Sequence, residues 1–216
     1  MFRGGNAMEH IILVGDGTLD NRKISSPDPD VISHLRVLIP NDWKATLCAT
    51  EGSTLALMPA QIHRIPNDAS YIIASIGAND VLRFRLILSN SSQSGLVVLS
   101  MLAKLVKEFT QNYREIMLSL KALKRPICCC TIYNGNLNKE EIVAAKAAIA
   151  IFNDGIYSVA NELQVSVLEL RRICTEAADF ENQKDLSGLG GQKFAKAILA
   201  KVQEHVAHKE IEKKAL

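Results

Sequence analysis

The 216-residue chain is poor in the features that assign a sequence to a class at once. Basic and acidic side chains nearly cancel, 25 against 23, so no single-sign field of the kind that draws nucleic acid is expected, and no nucleic-acid partner. The five cysteines are Cys48, the consecutive Cys128, Cys129 and Cys130, and Cys174. None forms a C-x-x-C pair, which argues against a zinc or thioredoxin-type site; no metal and no cofactor are expected. Three adjacent cysteines in an apolar run read as small buried hydrophobes. An odd, unpaired count favours a reducing compartment and a cytoplasmic location. No apolar run approaches the ~18 to 20 residues of a membrane span. The opening "MFRGGNAMEH" carries one Arg ahead of a short strand interrupted by Asp16, unlike a signal peptide. What remains is 48% apolar and 22% charged, a globular balance whose length suits one domain over residues 1–216.

Short apolar, β-branched runs occur at "HIILVG", "KATLCAT", "SYIIASIG", "PICCCTIY" and "VSVLEL", each bounded by Gly, Pro, Asn or Asp. They read as buried strands. Between them lie helical patterns: "DVISHLRVLI", a long one from about Gly95 to Leu123, "KEEIVAAKAAIAIFNDGIYSVANEL", and a last one starting near Gly191. The final residues, from about 207, read as a charged C-terminal tail, a solvated extension of the last helix that frays. Five β segments separated by helices predict a parallel sheet covered on both faces, with ligands bound beyond the carboxyl ends of the strands.

Two loops at that edge carry the chemistry-rich residues. "GDGTLDN" follows the first strand and "IGAND" the third. Gly, Asp and Asn suit tight turns, and Asp16 and Asp80 read most simply as carboxylates that accept backbone N–H groups. Together the blocks resemble the SGNH (GDSL) hydrolase family of esterases and lipases. The first block is Gly15-Asp16-Gly17-Thr18-Leu19-Asp20-Asn21, the second Gly52 in "ATEGSTL", the third Gly77-Ala78-Asn79-Asp80. "QIHRIPNDASYIIASIG", "CTIYN", "IFNDGI" and "GGQKFAKAI" extend the likeness over nearly the whole chain. The resemblance implies a flavodoxin-like three-layer α/β/α sandwich on a five-stranded parallel sheet. It also implies serine attack on an acyl ester, with oxyanion donors at Gly17 N–H, Gly52 N–H and the Asn79 amide. Asp16, Asp20, Asn21 and Asp80 would support the loops, and a final Asp-x-x-His would supply orienter and base.

This chain departs from that pattern at two places. Glycine stands at the serine position, Gly17, and the final motif reads Asp185-Leu186-Ser187-Gly188, which puts Asp185 at the acid position and leaves the histidine position, Gly188, vacant. A second alignment matches Asp185 and Ser187 to a Glu-Pro-Ser stretch, and it supplies no base either. His10, His34, His63, His205 and His208 fall at a strand start, in helices and in the tail. Thr18 beside the vacancy has no evident base. Three readings stay open. The preferred one is a catalytically impaired hydrolase or pseudoenzyme whose donors still bind an ester, a carboxylate or another anion. The second is a working esterase or acetyl-ester hydrolase with an unorthodox nucleophile or base. The third is an interaction or scaffold protein acting through its helical surface or tail.

Overall fold

The computed structural model describes residues 8–82, 94–137 and 139–214. Five strands, β1 (His10–Gly15), β2 (Lys44–Leu47), β3 (Tyr71–Ser75), β4 (Ile127–Cys130) and β5 (Ser166–Leu168), form one sheet in the order β2-β1-β3-β4-β5. Every pairing is parallel, with His10 opposite Lys44, Ile11 opposite Tyr71, Ile72 opposite Ile127 and Cys128 opposite Ser166. The helices are α1 (Arg22–Ser25), α2 (Val31–Leu38), α3 (Met58–Ile62), α4 (Ala78–Leu82), α5 (Gly95–Lys121), α6 (Lys139–Leu163) and α7 (Gly188–Lys214).

Alternation along the strands divides the core in two. Ile12, Val14, Ile72, Ala74 and Cys129 face α5 and α6 residues such as Tyr113, Met117, Phe152 and Ile156. Their neighbours Ile11, Leu13, Ile73, Cys128 and Cys130 face Leu35 of α2 and Phe194, Ile198 and Val202 of α7. A parallel strand covered on both faces must be apolar at consecutive positions, which is why β1 and β3 are unbroken hydrophobic runs. The strand order reverses between β1 and β3. The crevice between their carboxyl ends is where such sheets hold ligands.

Three sequence expectations need correction. Asn79 and Asp80 lie in the short helix α4, not in an open loop. The last helix begins at Gly188 rather than Gly191; it continues to Lys214, in keeping with the tail from 207 as an extension of that helix, and residues 215–216 lie outside the described residues. One helix is also long and apolar enough to cross a membrane: Val143–Leu163 of α6 has a mean hydropathy of 1.2. Its Phe152, Ile156, Val159 and Ala160 are buried in the core at helical spacing, the pattern of a core helix.

Candidate active site

The end of β1 is set by contact with β3. Gly15 has φ +140°, and a Cβ there would stand 1.8 Å from the Ser75 carbonyl oxygen, so no side chain is accommodated. Gln61 of α3, buried, closes this corner: its Oε1 accepts from Gly15 N–H (2.8 Å), and its Nε2 donates to Gly15 O (2.8 Å) and Ser53 Oγ (2.9 Å). The chain then enters the loop of Asp16 and Gly17. Asp16 Oδ1 accepts from Thr18 N–H at 3.0 Å, the short-range turn bond expected of an aspartate.

The other loop residues serve the loop of Gly52. Asp20 Oδ2 accepts from Glu51 N–H (3.0 Å), Asp80 Oδ2 accepts from Leu55 N–H (3.1 Å), and Asn79 Nδ2 donates to Ser53 O (2.9 Å). Asp80 thereby reaches across to another loop. Asn21, fully buried, accepts from Val31 N–H (3.0 Å) and donates to Leu186 O (3.3 Å), tying the β1 loop to the start of α2 and the segment before α7. Gly52, at φ +76°, has open space where a Cβ would stand.

These loops open onto a cavity of about 780 Å³. Gly17, Gly52 and Asn79 line it, and Val81, Ile132, Ala148 and Ile149 give it an apolar wall. The backbone N–H groups of Gly17 and Gly52 donate to nothing among the described residues, and Asn79 Nδ2 has one hydrogen beyond its bond to Ser53. A Cβ at Gly17 would lie 3.7 Å from Glu51 Cγ, an ordinary contact. Asn153 of α6, fully buried, grips the wall: its Oδ1 accepts from Ile132 N–H and its Nδ2 donates to Ile132 O, both at 2.8 Å. Neither Gln61 nor Asn153 was identifiable as a site residue from sequence, because a lone amide within an apolar pattern carries no local signal.

The final motif is arranged differently from its expected register. Asp185 lines the cavity; Gly188 does not. At Gly188 an added Cβ would lie 2.4 Å from Asp28 Cβ. Ser187 is bound at the start of α7, where its Oγ accepts from Gly190 N–H (3.2 Å) and donates to Ala178 O (2.7 Å). Three residues before Asp185, Asn182 accepts at Oδ1 from the N–H groups of Lys184 (2.9 Å) and Asp185 (3.0 Å), and its Nδ2 donates to Asp185 Oδ2 (2.9 Å). Asn182-x-x-Asp185 thus has the spacing of Asp-x-x-His, with amide and carboxylate in place of carboxylate and imidazole. Tyr133 OH donates to Lys184 O (2.6 Å) and Asn136 N–H to Gln183 O (2.8 Å), fastening this segment to the loop after β4. Among the described residues no histidine lines the cavity. His10 is held between Asp68 and Thr46, and His205 packs edge-on to Tyr71.

Asp16 lines the same cavity while only 1% exposed, and its Oδ2 has no hydrogen-bond partner among the described residues. Burial, helped by the nearby Asp80 carboxylate, pushes its carboxyl up to about 6 against the Thr18 and Ala78 N–H groups. A raised carboxyl favours the protonated folded state, so the folding penalty is absent below about pH 4, grows as pH rises towards 6, and is complete above it. The penalty is on the order of 3 kcal/mol. Asp16→Asn keeps the acceptor for Thr18 and removes the titration. Urea unfolding at pH 4 and pH 7 should show the variant losing that pH dependence and gaining stability over the parent at pH 7.

No protein-family model matches the chain, and no curated protein does. Solved structures do. Phospholipase A1 from Streptomyces albidoflavus NA297 matches at TM-score 0.68 and 11% identity, over 90% of this chain and 99% of that one. The extracellular lipase from Streptomyces rimosus matches at 0.66 and 12%, over 89% and 99%. A member of the lipolytic protein G-D-S-L family from Veillonella parvula DSM 2008 matches at 0.63 and 13%, over 89% and 97%. With a parallel sheet in the order β2-β1-β3-β4-β5 and these structural neighbours, the chain has the α/β fold of the SGNH hydrolases.

Proposed function

We propose that the protein binds the neutral carbonyl of an acyl ester in the cavity beside Gly17 and does not hydrolyse it by a serine route. The observation that carries this reading is the set of three uncommitted donors, Gly17 N–H, Gly52 N–H and the second Asn79 amide hydrogen, on one cavity with an apolar wall. Such donors suit a carbonyl oxygen, and more so the oxyanion it becomes. The wall of Val81, Ile132, Ala148 and Ile149 suits an alkyl chain. Structural neighbours that are a lipase and a phospholipase act on esters of that kind, which supports the reading. The serine route lacks its oxygen at Gly17, and knocking out such a nucleophile costs on the order of 10⁶ in rate, about 8 kcal/mol of barrier.

The charges narrow the ligand further. Asp16 and Asp185 both line the cavity and neither belongs to an ion pair among the described residues; Glu51 is paired with Lys23, and the exposed Lys184 is the one cation among the described lining residues. A free carboxylate ligand would face three carboxylates against one lysine, so the neutral ester is preferred over the anion. Calorimetric titration with 2-octanone, a carbonyl isostere that cannot be hydrolysed, and with octanoate tests this. The ketone should bind more tightly than the acid, and Asn79→Ala should weaken the ketone about tenfold, the loss of one hydrogen bond. Equal binding of acid and ketone, or binding indifferent to Asn79→Ala, would refute it.

A further inference from the structure

We infer that Asp185 is a general base that activates a water for attack on the ester carbonyl, a slow hydrolysis that needs no enzyme nucleophile. The inference rests on the acyl-ester reading above. Asp185 is a half-buried carboxylate on the wall of the cavity that Gly17, Gly52 and Asn79 line. Its Oδ2 is held by Asn182 Nδ2, while its Oδ1 has no partner among the described residues. The orienting amide is itself fixed, because Asn182 Oδ1 takes two backbone N–H bonds and only Nδ2 is left to point at Asp185. Tyr133 and Asn136 then pin the segment against the cavity. Base, orienter and oxyanion donors thus share one site, the arrangement that nucleophile-dependent hydrolases also need. Here no side chain stands at the nucleophile's place, Gly17, where an added Cβ would meet Glu51 at ordinary contact distance.

In the first step a water oxygen bonds to the carbonyl carbon as its proton passes to Asp185 Oδ1. The C=O π pair moves onto the oxygen facing the Gly17, Gly52 and Asn79 donors. In the second step that pair returns, the bond to the alkoxy oxygen breaks, and the leaving alkoxide takes the proton from Asp185. The products are one carboxylic acid and one alcohol, and Asp185 returns to its starting state. Asn182 is a positioning residue: it touches neither water nor substrate and acts by aiming the carboxylate.

A general base of this kind contributes roughly 10²- to 10⁴-fold. The test uses the full chain with p-nitrophenyl butyrate as substrate and 2-octanone binding as a separate readout. Nitrophenolate release should be linear from the start, without a stoichiometric burst, and about 10²-fold or more above buffer. Asp185→Asn, which keeps shape and the bond to Asn182, should bring the rate to within a few-fold of buffer while the ketone still binds as in the parent. Asn182→Asp, which keeps the oxygen that accepts from the Lys184 and Asp185 N–H groups and removes the donor to Asp185, should lower kcat with KM and ketone affinity unchanged. Parent protein that binds ketone but hydrolyses nothing overturns the proposal and leaves the binding reading standing. An undiminished rate in Asp185→Asn, or a burst marking an acyl-enzyme, also overturns it. Failure of the parent to bind ketone overturns the binding reading and this proposal with it.

Discussion

Carrying Gly17→Ser, Asn182→Asp and Asp185→His together, the chain should hydrolyse p-nitrophenyl butyrate at least ~10²-fold faster than the parent, with a burst of one equivalent. The parent offers room for the nucleophile, since a Cβ at Gly17 meets only Glu51 at ordinary contact distance. It offers a base position on the cavity at Asp185, and an orienter three residues earlier whose acceptor oxygen is already bonded to two backbone N–H groups. An aspartate at 182 keeps those two bonds with one oxygen and turns the other to the new imidazole. A complete triad is worth on the order of 10⁶ in kcat, so even a poorly placed one leaves several decades to observe. The control is Gly17→Ser with Gly188→His. It should gain no activity and lose stability by about 1–3 kcal/mol, because the added Cβ runs into Asp28. If the control gains activity and the triple variant does not, the base position assigned to Asp185 is wrong.

The second large effect is structural. Gly15→Ala should destabilise the fold by on the order of 4 kcal/mol or more, enough to remove most of a typical domain's stability. The methyl would need to occupy the position of the Ser75 carbonyl, 1.8 Å away, at a backbone conformation that L side chains avoid. Neither strand can yield. β1 and β3 are paired along five consecutive residues, and the neighbouring Asp16 N–H donates to that same Ser75 oxygen at 3.0 Å. Guanidinium unfolding followed by circular dichroism would show the transition lost or moved to low denaturant. Gly52→Ala is the informative comparison. It has a positive φ too, but open space around the Cβ, so it should cost only the ~1–2 kcal/mol of a left-handed alanine.

Much of this molecule can be read along the chain, and what cannot has a common cause. The five strands are legible because each face of a parallel sheet demands apolar residues, so Ile11 through Val14 and Tyr71 through Ala74 stand out without any tertiary information. Gly17, Gly52 and Asn79 stand in ordered blocks, and the structure places all three on one cavity. The final motif is harder. Spacing from Asp185 points to Gly188, but which residue meets the cavity is decided by where α7 begins and by Asp28, 160 residues away in sequence, filling the space beside Gly188. Asn182 reads as an ordinary turn residue until its amide is seen against Asp185. Gln61 and Asn153 are invisible for the same reason, since their partners, Gly15 and Ile132, are set by tertiary packing. The short α4 escapes because five residues are too few for a helical period to show.

The alternation of β4 has a use beyond packing. Cys128 and Cys130 point into the layer of α2 and α7, and Cys129 into the layer of α5 and α6. Burial pushes the thiols of Cys128 and Cys129 up to about 11 and about 12, so in the closed fold they are neither exposed nor nucleophilic. Alkylation at each position therefore counts excursions in which one helical layer lifts from the sheet. Three adjacent residues carry separate clocks for the two sides of the sandwich, and peptide mass mapping would read which side breathes first.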